Sequence, residues 1–169
     1  MAVLTTDRLR LRPLTVDDVD SFVDLHAHEE VSRFIGPFSR SVALDRLTMI
    51  QEQWANRGHG RFAVELRSTG EFIGISGLQY WRQFDEVEVG WTLRPDVWGH
   101  GYATEAGGAS LAWGFRTLPN PYFTAMIRPA NTPSIRVADR LGFHMLRPDT
   151  LFDRPTTVYA LPRPPAGNS

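Results

Sequence analysis

The chain has 169 residues, 42% of them apolar and 22% charged, which suits one globular domain and is short for two. Eighteen basic residues, all arginine, face nineteen acidic ones, so there is no bulk positive field to recruit nucleic acid or an anionic membrane. The absence of cysteine excludes disulfides, thiolate metal sites and cysteine nucleophiles, and the lack of a signal-peptide layout or a membrane-length apolar run makes a cytoplasmic location the expectation.

Residues 8–13 alternate polar and apolar and read as a first strand stopped by Pro13. Thr15 then precedes Asp17 and Asp18, an N-cap with acids in the first turn of a helix. A second helix is expected over 41–57, with Leu44, Leu47, Ile50 and Trp54 on one stripe and Gly58 as its stop. Strand-like runs follow at 61–67 and 72–80, joined by the hairpin signal Ser68-Thr69-Gly70-Glu71, and then at 86–93. Glycines 99 and 101 precede a helix over 102–116. A strand at 122–127, a helix at 132–141 closed by Gly142, and two short strands at 143–147 and 156–161 complete the order. The pattern predicts a mixed α/β fold with helices on both faces of its sheet, one domain over 1–161, and a disordered Pro-rich tail over 162–169.

The most informative segment is Trp98-Gly99-His100-Gly101-Tyr102-Ala103-Thr104-Glu105. A strand that ends in a glycine turn and feeds a helix N-terminus offers free backbone N–H groups and a favourable dipole to an anion. A nucleotide P-loop would need a lysine after the glycines, and this chain has none. A dinucleotide fingerprint would need a third small residue where Thr104 stands.

Three segments in register, Glu88-Val-Gly-Trp-Thr-Leu-Arg-Pro95, the glycine loop, and Asn131-Thr-Pro-Ser134 with Arg140-Leu-Gly-Phe143, resemble the GNAT acetyltransferase superfamily. The resemblance is to its RimJ/RimL-type branch, ribosomal-protein N-acetyltransferases included, and it spans residues 5 to about 161. It implies a predominantly antiparallel twisted sheet of about seven strands with a splayed central parallel pair. It also implies acetyl-CoA as co-substrate, an amine acceptor (a protein N-terminus or a small molecule), no metal, and an open expectation of a homodimer.

In that pattern Trp91, Thr92 and Leu93 pair with the pantetheine arm, and the loop from Trp98 through Gly99, His100, Gly101, Tyr102, Ala103 and Thr104 holds the pyrophosphate. Trp98 replaces the usual Gln or Arg, which removes one side-chain contact. His100 stands near the phosphates or is simply solvated; Arg136 and Arg140 could meet the 3′-phosphate or solvent.

Deprotonating an amine and reprotonating a thiolate call for a base and an acid. Glu88 is the first candidate base. It shares a strand face with Glu86 and Gly90, and the alternative for a carboxylate there is a structural salt bridge. Glu105 is the rival, although the helix dipole explains it without chemistry. Where many members of the superfamily carry a tyrosine acid, this chain has Ala138, so Ser134, one turn away, is the candidate donor to the thiolate. Asn131 can cap that helix and bond the pantetheine. Trp81 and Phe84 could line the acceptor pocket. Two alternatives remain: an acyl-CoA sensor without turnover, and transfer of another acyl group such as succinyl.

Overall fold

The computed structural model describes residues 2–167. Its strands are β1 (Leu4–Thr5), β2 (Leu9–Pro13), β3 (Arg61–Leu66), β4 (Phe72–Trp81), β5 (Glu86–Leu93), β6 (Tyr122–Ile127), β7 (His144–Leu151) and β8 (Arg154–Pro162). Its helices are α1 (Val19–Ala27), α2 (Glu29–Ser32), α3 (Arg40–Arg57), α4 (Tyr102–Thr117) and α5 (Thr132–Leu141). The strands form one sheet in the order β1-β2-β3-β4-β5-β6-β8-β7. Every neighbouring pair is antiparallel except β5 and β6, which are parallel.

Local signals explain most boundaries. Thr15 and Asp18 form a reciprocal cap around a single 3-10 turn, Val16–Asp18, that leads into α1. Ser39 caps α3 by accepting from the Val42 N–H, and Gly58 ends it in the left-handed region. Asn131 and Gly142 bracket α5 in the same way.

The two sheet faces bury different helices. Leu78, Val87, Val89, Phe123 and Ala125 pack with Leu111 of α4 and Ala138 of α5. On the other face Ala63 and Ile75 pack with Phe22 and Leu25 of α1 and with Ala43 and Leu47 of α3. A bulge in β4 opposite Val64/Glu65 turns Ile73 to the face away from Ile75, where it joins Leu9, Leu11, Phe62 and Val64. Helices therefore cover both faces, as the sequence pattern predicts.

The structure adds two elements to that reading, the two-residue strand β1 and the single turn α2. It also lengthens β7 to Leu151. The chain stays ordered past residue 161: Pro162 closes β8, the Arg163 N–H bonds the Pro121 carbonyl, and the Arg163 guanidinium donates to the carbonyls of Phe115, Leu118 and Asn120. Of the tail expected to be disordered, residues 164–167 have no regular structure, and 168–169 lie outside the described residues. No helix among the described residues is long and apolar enough to cross a membrane.

Candidate active site

Beyond the Glu88–Thr124 pair, β5 and β6 no longer hold a regular ladder. A cleft of about 570 Å³ opens there, between the end of β5, the N-terminus of α4 and the start of α5. That volume suits a substantial organic ligand. Of the residues singled out from sequence, Trp91, Thr92, Leu93, Trp98, Gly99, Gly101, Tyr102, Ala103, Thr104, Asn131 and Ser134 line it. Arg136 and Arg140 do as well. His100 is exposed beside the loop and is not part of the cleft wall.

The opposite wall comes from Glu30 and Val31 of α2 and from Arg33, Phe34 and Ile35 after it. Sequence reasoning missed this wall because one helical turn carries no periodicity.

The backbone of β5 explains what the cleft offers. The Arg94 N–H bonds the Ile73 carbonyl on the β4 side, so by period-two alternation the backbone of Leu93 faces the open side. The Trp98 indole donates to the Leu93 carbonyl at 2.9 Å, which ties the loop to the strand end. Trp98 therefore spends its polar atom on the chain itself.

Gly99 and Gly101 have φ of +82° and +81°, a region a side chain would strain, and a Cβ at Gly99 would meet nothing within 4 Å. No side chain caps α4, so its first N–H groups have no side-chain acceptor. The Thr104 hydroxyl is buried at the cleft and has no hydrogen-bond partner among the described residues. Open backbone, a bare helix N-terminus and an orphaned hydroxyl at one spot fit a phosphate group.

Glu88 lies on the sheet face away from α4 and is 6% exposed. Its Oε1 accepts from Arg61 Nη2 at 2.9 Å and from the Trp81 indole at 3.0 Å, while Oε2 accepts from the Met126 N–H at 3.3 Å. A carboxylate has about four lone-pair sites, so one position on Oε2 is left. Arg61 and Met126 are not legible as partners in the sequence, since both come from strands distant from β5 along the chain; Trp81, expected at the acceptor pocket, meets the carboxylate instead.

Next along the same face, Glu86 accepts both arms of the Arg147 guanidinium and the Tyr122 hydroxyl. The bonds from Arg147 outweigh burial, and with help from Tyr122 hold its carboxyl below the usual range. Burial works against the Glu105 charge, but bonds from Thr6 and Arg8 overcome it and keep that carboxyl low. Glu105 thus anchors the turn between β1 and β2. Ser134 sits in the first turn of α5, where its N–H bonds Asn131 Oδ1 at 3.4 Å, and Ala138 is fully buried in the core.

The model of the Acetyltransferase (GNAT) domain matches residues 8–144. The chain belongs to the GNAT acetyltransferase family. This GNAT acetyltransferase is 33% identical over 147 residues to the uncharacterized N-acetyltransferase p20 of Bacillus licheniformis, covering 85% of this chain and 83% of p20. A crystal structure of an acetyltransferase from Agrobacterium tumefaciens superposes with a TM-score of 0.85 at 33% identity, covering 95% of this chain and 94% of that one. RimL, a ribosomal L7/L12 α-N-protein acetyltransferase solved with coenzyme A, shares the fold at 15% identity and a TM-score of 0.79, with 95% and 98% of the two chains covered.

Proposed function

We propose that this GNAT acetyltransferase moves the acetyl group of acetyl-CoA to a primary amine by direct attack, with both substrates bound together in one domain spanning residues 1–161. The supporting observation is the cleft at the end of β5, where the glycine loop, the uncapped start of α4 and the Thr104 hydroxyl converge; Glu88 lies further back on the same strand, outside the cleft wall. The bound thioester supplies an activated acyl carbon.

The amides of Gly99 through Thr104 and the Thr104 hydroxyl hold the pyrophosphate. Trp91, Thr92 and Leu93 line the pantetheine arm, together with Asn131. The Leu93 N–H faces the side where the thioester oxygen would gain charge. Glu88 draws the amine proton through one water at its remaining Oε2 position, and the Ser134 hydroxyl donates a hydrogen bond to the departing thiolate, which takes its proton from solvent. RimL with coenzyme A supports the cofactor assignment as a fold neighbour.

The test is CoA thiol release from acetyl-CoA with a panel of peptide N-termini and small amines, with products identified by mass spectrometry. Release with at least one amine, reduced about 100-fold or more in Glu88→Gln with unchanged CoA binding, upholds the reading. The three hydrogen bonds that Glu88 already accepts, from Arg61, Trp81 and Met126, favour one rival, a sensor that binds acyl-CoA without turnover; binding with no release for any amine would establish it. Competition among acyl-CoAs tests transfer of a larger group such as succinyl.

A further inference from the structure

On the sheet face away from α4 lies an arginine that the acyl-donor cleft does not use. Arg46 of α3 is half-buried. Its guanidinium carbon stands 4.4 Å from the centre of the Phe38 ring and 5.4 Å from that of Phe152. Burial draws its pKa down, with no carboxylate acting against that. Other partly buried arginines on this side are paired: Arg12 with Asp18, Arg61 with Glu88, Arg147 with Glu86. A half-buried guanidinium held against two rings, with no carboxylate partner among the described residues, keeps its N–H donors available to an anionic ligand.

Its position says which ligand. Phe152 forms the tip of the β7–β8 hairpin, with φ of +52°, and is 56% exposed. Its ring packs edge-on against Trp81 at 5.7 Å, and the Trp81 indole donates to Glu88. Arg46, Phe152, Trp81 and Glu88 therefore form one row drawn from α3, the last hairpin, β4 and β5. A cation stands at one end and the candidate base at the other.

We propose that Arg46 binds a carboxylate carried by the acceptor, so that the acceptor is a small amino acid or dipeptide rather than a simple amine. The inference rests on the transfer reading. The acceptor's amine lies toward Glu88, its carbon skeleton lies along Trp81 and Phe152, and its carboxylate meets the planar guanidinium, whose fork matches two oxygens at once. Several bonds must separate amine from carboxylate, since the rings of Phe152 and Trp81 stand between the two ends of the row.

The test compares 4-aminobutyrate, 6-aminohexanoate and glycylglycine with their carboxamides as acceptors, by CoA release, in the wild type, Arg46→Met and Arg46→Lys. The wild type is expected to favour acid over amide by about tenfold or more in kcat/KM, chiefly through KM. Arg46→Met is expected to bring that ratio to about one, and Arg46→Lys to keep part of it. The ratio is internal to each variant, so a general loss of folding does not imitate the effect. A wild-type ratio near one, or a ratio unchanged in Arg46→Met, overturns the proposal. If no amine releases CoA, the transfer reading fails separately, and calorimetry of the same acids and amides with the CoA-saturated protein decides. Acid binding lost in Arg46→Met upholds the site, and no acid binding by the wild type overturns it.

Discussion

The Arg61 guanidinium occupies the space that a side chain at Gly90 would need, and from there it meets Glu88. A Cβ built on Gly90 would lie 1.8 Å from Arg61 Nη1. The ion pair across β3, β4 and β5 therefore depends on a glycine whose own φ is ordinary. Removing Arg61 leaves a nearly buried carboxylate uncompensated, and Arg61→Met is expected to lose about 3–5 kcal/mol in urea unfolding. Adding Glu88→Gln should recover part of that loss. Gly90→Ala evicts the guanidinium and should destabilise the wild type while being nearly silent in Arg61→Met; additive effects of the two changes would refute the coupling.

Two buried histidines make acid stability a second prediction. His26 is 0% exposed between Phe22 and Phe38, and burial, assisted by Arg46, lowers its pKa to about 4. Its Nδ1 lies 2.8 Å from the Phe22 carbonyl and its Nε2 has no partner among the described residues. His59, 4% exposed, is likewise lowered to about 4 by burial and by Arg57, and its Nδ1 faces the Gln53 amide nitrogen. Both folded values lie below the ordinary 6.5, so between pH 6.5 and 4 the unfolded chain binds more protons than the folded one. The stabilisation is full above pH 6.5 and is lost as pH falls toward 4, about 3 kcal/mol for each group. His26→Phe should flatten the slope of urea midpoint against pH in that window; an unchanged slope would contradict it.

Sequence legibility followed the range of the interactions. β5, β6 and α5 are read to the residue because caps and alternation are local: Asn131, Gly142 and the Val87/Val89 face announce themselves. The glycine loop is legible for the same reason. α2 and β1 are too short to carry a period, and β7 runs through Pro148, which is tolerated because β7 is an edge strand. The partners of Glu88 and the row from Arg46 to Trp81 are tertiary. No spacing in the sequence brings residues 46, 81, 88 and 152 together.

Thr104→Val separates folding from binding. Deleting a buried hydroxyl that lacks a partner should leave the ligand-free protein equally or more stable. If that hydroxyl serves a phosphate, the same variant should bind CoA about tenfold more weakly. Thermal unfolding with and without CoA reads both effects, and equal CoA-induced shifts in the two proteins would remove Thr104 from the site.

Arg163 gives a prediction at the chain's other end. It gathers three carbonyls at and just after the C-terminus of α4. Arg163→Ala is expected to cost about 1–2 kcal/mol, whereas deleting residues 164–169 should be neutral in the same urea assay.

The turn at Thr6 and Arg8 is bolted to Glu105, one helical turn beyond the glycine loop. Thr6 and Arg8 thereby act as a splint on the helix start where we propose the phosphate is held. A fusion partner or a trim that strains Thr6 or Arg8 would act on cofactor retention from almost 100 positions away in sequence, and hydrogen exchange at the start of α4 would register it before any loss of global fold.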